Sequence, residues 1–66
     1  MSFSNDQLAN CALREMRWRI RVYPNRVFTG RMSQNKADVE IAMMEAIAEH
    51  FLALAATDQP ELQLDG

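Results

Sequence analysis

The chain has 66 residues, of which 48% are hydrophobic, and its formal net charge is −2. A chain of this length forms one domain at most and buries only about 60% of the surface that its unfolded state exposes. The hydrophobic content excludes a wholly disordered acidic chain, and no apolar run reaches the roughly 20 residues of a membrane-spanning helix. We therefore expect one small domain, covering residues 1–66, with no membrane partner.

Small domains gain additional stability from disulfides, metal ions or oligomerisation. Cys11 is the single cysteine, so no disulfide can form within the chain. Cys11 and His50 are too few ligands for a structural zinc site, and we expect no metal and no cofactor. Self-association is the route that remains. The free cysteine, and a first segment without the basic-then-apolar layout of a secretory signal, predict a cytoplasmic protein.

The first predicted helix covers about residues 5–22, with Ser4 or Asn5 as its N-cap. Its main apolar residues recur with the helical period and fall within an arc of roughly 140°. They are Leu8, Ala9, Ala12, Leu13, Met16, Ile20 and Tyr23. Residues 17–22 also alternate like a strand, but the alternation is short, whereas the helical period continues back to Leu8.

Residues 23–33 form the predicted connection. Pro24 lacks a backbone N–H and disfavours helical geometry at Tyr23, so it ends or kinks the first helix. Pro24 can equally begin a short helical turn through Phe28, which Gly30 would close. Val27 and Phe28 are expected to pack under this connection and to cover the end of the core.

The second predicted helix covers about residues 34–56, within the longest run that contains no Gly or Pro, and Ser33 is its predicted N-cap. Its main apolar face consists of Ala37, Ile41, Met44, Ala48, Phe51, Leu52 and Ala55. Pro60 and the polar residues before it end this helix. We expect residues 57–66 to be a mobile tail.

Two helices joined by about ten residues can fold back as an antiparallel hairpin, so the predicted fold class is all-α. All seven Lys and Arg residues lie between Arg14 and Lys36, where Glu15 is the only acid, which gives a local net charge of +6. From Ala37 onward there are seven acids and no Lys or Arg. The basic flank of the first helix can therefore face the acidic flank of the second, although each exposed pair contributes only about 0–1 kcal/mol.

Both helices carry more apolar residues than a two-helix hairpin can cover. On the first helix the surplus consists of Cys11, Trp18 and Val22, and on the second of Val39, Met43, Ile47 and Leu54. Such a surplus predicts burial in a homodimer, most simply a four-helix bundle, or a docking surface for a foreign protein. The two interpretations are compatible.

Trp18 lies within a basic region. Arginines with an interleaved aromatic residue can contact phosphates and stack on a base. The candidate contacts are Arg14, Arg17, Arg21, Arg26 and Arg31. The acids of the second helix oppose phosphate binding, so a salt-bridged helix surface with Trp18 as an anchor is the favoured interpretation.

No phosphate-binding glycine loop, zinc-ligand spacing or nucleophile elbow is present. A catalytic Cys–His pair would need a third, orienting group, and the sequence indicates none. We therefore interpret His50 as a partly buried, hydrogen-bonded histidine and Cys11 as a small buried hydrophobic residue. The expectation is a protein that is not an enzyme.

The segment from Leu13 to Met44 resembles a set of small, largely uncharacterised helical proteins encoded by tailed phages and proteobacterial prophages. Their pattern is a basic helix running into Val-Tyr-Pro, followed by Gly and a Met-Ser/Thr-Gln-x-Lys-Ala-Asp segment that opens a second helix. The matching residues are Val22, Tyr23, Pro24, Gly30, Met32, Ser33, Gln34, Lys36, Ala37 and Asp38. The resemblance covers about half of the chain and implies a phage accessory protein in the cytoplasm of a host cell.

The leading hypothesis is a non-catalytic, self-associating interaction module that binds or inhibits a host or phage protein. The alternative is a nucleic-acid-binding accessory protein that uses the Arg14–Arg31 region. A purely structural oligomer is a third class, which the sequence does not separate from the first.

Overall fold

The computed structural model describes residues 1–58, and these residues form two helices and no strand. Helix α1 is Asn5–Phe28 and helix α2 is Gln34–Thr57. Each has 24 residues, which corresponds to a length of about 36 Å. The two helices pack against each other, so the predicted all-α helical hairpin is confirmed. Of the tail predicted at 57–66, Thr57 is the last residue of α2, and residues 59–66 lie outside the described part.

Ser4 begins α1, as one of the two predicted caps. Its hydroxyl accepts a hydrogen bond from the backbone N–H of Gln7 at 3.1 Å, and the Gln7 side chain accepts one from the Ser4 N–H at 2.9 Å. This reciprocal pair is a capping box, which satisfies two N–H groups that have no partner within the helix. Asp6 adds a negative charge in the first turn, where the helix dipole favours it.

Helix α1 continues through Pro24, so the prediction that it ends near Val22 is wrong. Pro24 cannot donate to the carbonyl four residues earlier, yet the helix extends to Phe28. Tyr23 is buried and Val27 is half-buried, so the turns on both sides of Pro24 pack against α2. Tertiary packing therefore outweighs the local cost of a proline this close to the C-terminus of the helix.

The connection is shorter than the predicted 23–33, because only residues 29–33 separate the helices. Gly30 has a φ of +80°, a conformation that favours glycine. The N–H groups of Arg31 and Met32 both donate to the carbonyl of Arg26, at 2.8 and 3.2 Å, which closes the end of α1. Phe28 does not cover the core, since its side chain is 79% exposed.

Ser33 begins α2 as predicted, and its hydroxyl accepts a hydrogen bond from the Lys36 N–H at 3.0 Å. The helix ends at Thr57, one residue beyond the predicted end. Asn5 at the start of α1 donates to the Asp58 carboxylate just after α2, at 2.9 Å. The two helices are therefore antiparallel, with the beginning of the first beside the end of the second.

The most deeply buried positions between the helices are mainly alanines. The buried residues are Ala9, Ala12, Tyr23, Ala37 and Ala48, and among the described residues no large side chain is fully buried. Two helices alone cover only one strip of each other's surface, so the contact between them is narrow. Ile20 and Leu52, at the edges of the predicted core faces, consequently remain 50% and 43% exposed, and their assignment to the core is wrong.

Candidate protein interface

The surplus apolar residues of both helices are accessible in the hairpin. The side chains of Trp18, Val39, Met43, Ile47 and Leu54 are 38–47% exposed. Cys11 is exposed and Val22 is half-buried. We refer to these seven residues as the apolar face.

The two halves of the apolar face lie on the same side of the hairpin. Cys11 of α1 and Ile47 of α2 line one groove between the helices. Trp18 and Val22 follow Cys11 by 7 and 11 residues, spacings that return to the same side of a helix. Met43 and Leu54 are related to Ile47 by 4 and 7 residues in the same way. The two halves of the apolar face therefore lie on one side of the hairpin, one on each side of this groove.

Trp18 is held in place by two neighbours on α1. Its ring meets the ring of the buried Tyr23 edge-on, with centroids 6.3 Å apart and planes at 75°. The Arg26 guanidinium lies 5.3 Å from the Trp18 centroid and 5.6 Å from that of Tyr23, within the range of a cation–π contact. A large aromatic side chain that is already ordered loses little conformational entropy when a partner covers it.

A chain of charged groups runs along the groove beside the apolar face. Arg19 Nε donates to Glu15 Oε1 at 3.1 Å, and Arg19 Nη1 donates to the Glu40 backbone carbonyl at 2.9 Å. The Glu40 carboxylate lies 3.8 Å from Arg19 and 3.7 Å from Lys36. The predicted apposition of a basic α1 and an acidic α2 occurs here, at Arg19 and Glu40. The hydrogen bonds fix the register of the hairpin beside the groove.

The candidate phosphate contacts do not form one cluster. Arg14, Arg17 and Arg21 share the outer side of α1 and are exposed, whereas Arg26 is engaged with Trp18 and Tyr23. Arg31 lies in the connection between the helices. Within residues 1–58, none of these five arginines forms an ion pair.

Cys11 and His50 are not buried, contrary to their interpretation from the sequence. Both are exposed, because the narrow contact between the helices leaves them outside it. The His50 ring meets the Phe51 ring edge-on at 5.1 Å and makes no hydrogen bond within the described residues. In residues 1–58 no group of three or more His, Cys, Asp and Glu residues could hold a metal ion.

Sequence reasoning left two polar residues out of the proposed interface, Glu15 and His50, although both lie beside the apolar face. The spacing contains the signal: Glu15 lies between Cys11 and Trp18 in steps of 4 and 3, and His50 lies between Ile47 and Leu54 in steps of 3 and 4. A search for apolar residues alone passes over both.

Within the described residues, neither helix has the length and hydrophobicity that crossing a membrane requires. Comparisons of the chain with protein-family models, with curated proteins and with solved structures gave no match. The function has to be inferred from the residues and their geometry.

Proposed function

We propose that this chain is a non-catalytic interaction module that associates with a second copy of itself through the apolar face. The observation that carries the proposal is the exposure of four large apolar side chains in one row on α2. These are Val39, Met43, Ile47 and Leu54. Two hairpins joined by this face would form a four-helix bundle.

The composition of the core supports this proposal. Four of the five buried residues are alanines, which contribute little hydrophobic free energy, whereas full burial of a large aliphatic side chain contributes about 1.5–3 kcal/mol. Native domains are stable by only about 5–15 kcal/mol in total. Covering the apolar face therefore adds a large share of the stability that a domain of this size can have.

Sedimentation of the wild-type chain over a range of concentrations tests the proposal. We expect a dimer at micromolar concentrations, and we expect Ile47→Asp to give a monomer or an unfolded chain, since it buries a charge in the middle of the row. Ala42→Asp is the matched control, because it adds the same charge at an exposed position on the acidic side of α2, among Asp38, Glu45 and Glu49 and outside the row. A wild-type chain that stays monomeric at high micromolar concentration would overturn self-association.

The resemblance to phage and prophage proteins extends the proposal to a partner. In this extension the module is a phage accessory protein that binds or inhibits a host or phage protein. A monomeric wild-type chain would reassign the apolar face to that foreign partner. Recovery from host lysate by the wild-type chain and by Ala42→Asp, but not by Ile47→Asp, would then identify the partner that uses this face.

A nucleic-acid-binding function is the second candidate, and the exposed arginines Arg14, Arg17 and Arg21 favour it. If they contact phosphates, affinity falls steeply with salt, and each replacement by Ala lowers the log–log slope by about one unit. The four acids of α2 oppose such binding. We expect no binding of single- or double-stranded oligonucleotides at low ionic strength, and salt-dependent binding that these replacements weaken would support this candidate instead.

A further inference from the structure

Two rows of residues beside the groove have the same spacing. On α1 the row advances in steps of 4, 3 and 4 through Cys11, Glu15, Trp18 and Val22. On α2 the row advances by the same steps through Met43, Ile47, His50 and Leu54. Steps of 4 and 3 are the spacing of residues that form a seam between packed helices. Each row contains three apolar residues and one polar residue.

The polar residue stands second in the α1 row and third in the α2 row. When the α2 row is read in the reverse direction, as in an antiparallel pair, its polar residue becomes second as well. Every apolar residue then lies opposite an apolar residue, and the acid lies opposite the imidazole. The resulting pairs are Cys11 with Leu54, Glu15 with His50, Trp18 with Ile47, and Val22 with Met43.

These pairs cannot form within one chain, because both rows lie on the same open side of the hairpin. We propose that they form between two copies, with α1 of each copy packed on α2 of the other and the two-fold axis parallel to the helices. This inference rests on the proposed self-association and specifies its arrangement. The two seams are identical by symmetry, so each pair occurs twice.

The register of the hairpin agrees with this symmetry. A two-fold rotation about an axis parallel to the helices leaves each residue at its own height along that axis. The Asn5–Asp58 hydrogen bond places residue 11 beside residue 52 within the hairpin, and the Arg19–Glu40 hydrogen bond places it beside residue 48. Leu54 is two to six residues further along, which corresponds to about 3–9 Å. Because the Arg19 side chain is long, the contact between the shorter Asn5 and Asp58 side chains defines the register more narrowly, and it gives the smaller offset.

Charge favours this arrangement over its alternative. Helix α1 contains five arginines against Asp6 and Glu15, a net charge of +3. On α2, the acids Asp38, Glu45 and Glu49 lie on the side of the helix away from its row. A two-fold axis perpendicular to the helices would stack α1 on α1 and α2 on α2. That alternative brings the two basic helices together and removes the Glu15–His50 pair, in which the carboxylate accepts a hydrogen bond from the imidazole N–H.

Cross-linking through single cysteines distinguishes the two arrangements. One chain is the wild type, with Cys11 alone, and the other carries Cys11→Ser with Leu54→Cys. The two are refolded together and oxidised, since a disulfide forms only when the Cα atoms come within about 7 Å. A second mixture combines Cys11→Ser/Val22→Cys with Cys11→Ser/Met43→Cys. The control replaces Leu54→Cys by Ala53→Cys, at the neighbouring exposed position outside the row.

We expect a disulfide-linked dimer of two different chains in both mixtures, and little product with Ala53→Cys or with any chain oxidised alone. Circular dichroism checks that each variant is helical, and sedimentation under reducing conditions checks that it is a dimer. Monomers in that sedimentation would overturn self-association and this inference with it. Dimers that link only like chains, or that give no disulfide in either mixture, would overturn the arrangement and leave self-association standing.

Discussion

Gly30 is the residue on which the turn between the helices depends. Its φ of +80° is accessible to glycine, and a Cβ built on it meets no atom within 4 Å, so the constraint is conformational and not steric crowding. We expect Gly30→Val to destabilise the fold by roughly 1–2 kcal/mol, because an L-residue pays this cost in the left-handed region. The midpoint of thermal unfolding should fall by about 4–8 °C for each kcal/mol in a domain of this size.

Gly30→Asn is the control for that change, since asparagine tolerates positive φ better than a β-branched residue. It should lower the melting temperature less than Gly30→Val does. Equal melting temperatures for the valine variant and the wild type would show that the connection does not need glycine.

At the residue scale, the sequence predicts helix caps and turns better than it predicts which side chains are buried. The caps at Ser4 and Ser33 and the turn at Gly30 follow from one residue and its immediate neighbours, and all three are confirmed. Exposure depends on how wide a strip of each helix the other helix covers. The periodicity that places Ile20 and Leu52 toward the core does not encode that width, and both are exposed.

At the scale of the element, the two helices and their antiparallel order follow from periodicity and from the short connection. The end of α1 does not, because the local preference of Pro24 opposes the helix while packing of Tyr23 and Val27 extends it. A rule that uses only neighbouring residues cannot compare the local cost of Pro24 with the stabilisation that tertiary packing gives. The missed segment, residues 23–28, is the one in which they conflict.

Pro24 should therefore lower the stability of the folded hairpin, and a substitution can test this. We expect Pro24→Ala to raise the melting temperature, because alanine restores an N–H donor and removes the ring clash, a cost of up to about 3 kcal/mol inside a helix. The greater entropy of the unfolded alanine variant offsets roughly 0.4–1 kcal/mol of that gain. Thermal unfolding followed by circular dichroism measures the net change.

Asn25→Ala, at the next exposed position, is the control for helix propensity, which contributes at most about 0.7 kcal/mol. If Pro24→Ala raises the melting temperature no more than Asn25→Ala does, Pro24 does not destabilise the helix at this position.

At the scale of the whole molecule, the sequence predicts that apolar residues remain uncovered but does not place them relative to one another. Periodicity assigns Cys11 and Ile47 to a row on each helix. Only the packed hairpin brings the two rows to one side, where both residues line the same groove. The relation between Glu15 and His50 becomes visible once the helices have a register.

Trp18 reports on association directly, because it is the single tryptophan of the chain. In the hairpin its side chain is 38% exposed, and in the proposed seam it packs on Ile47 of the second copy. We expect its emission maximum to move to shorter wavelength as the protein concentration rises, since water leaves the indole on association.

The melting temperature should rise over the same range of protein concentration, because dimerisation stabilises the folded chain by mass action. Ile47→Asp should abolish both dependences, whereas Ala42→Asp should retain them. An emission maximum and a melting temperature that stay constant with concentration in the wild type would contradict the proposed dimer.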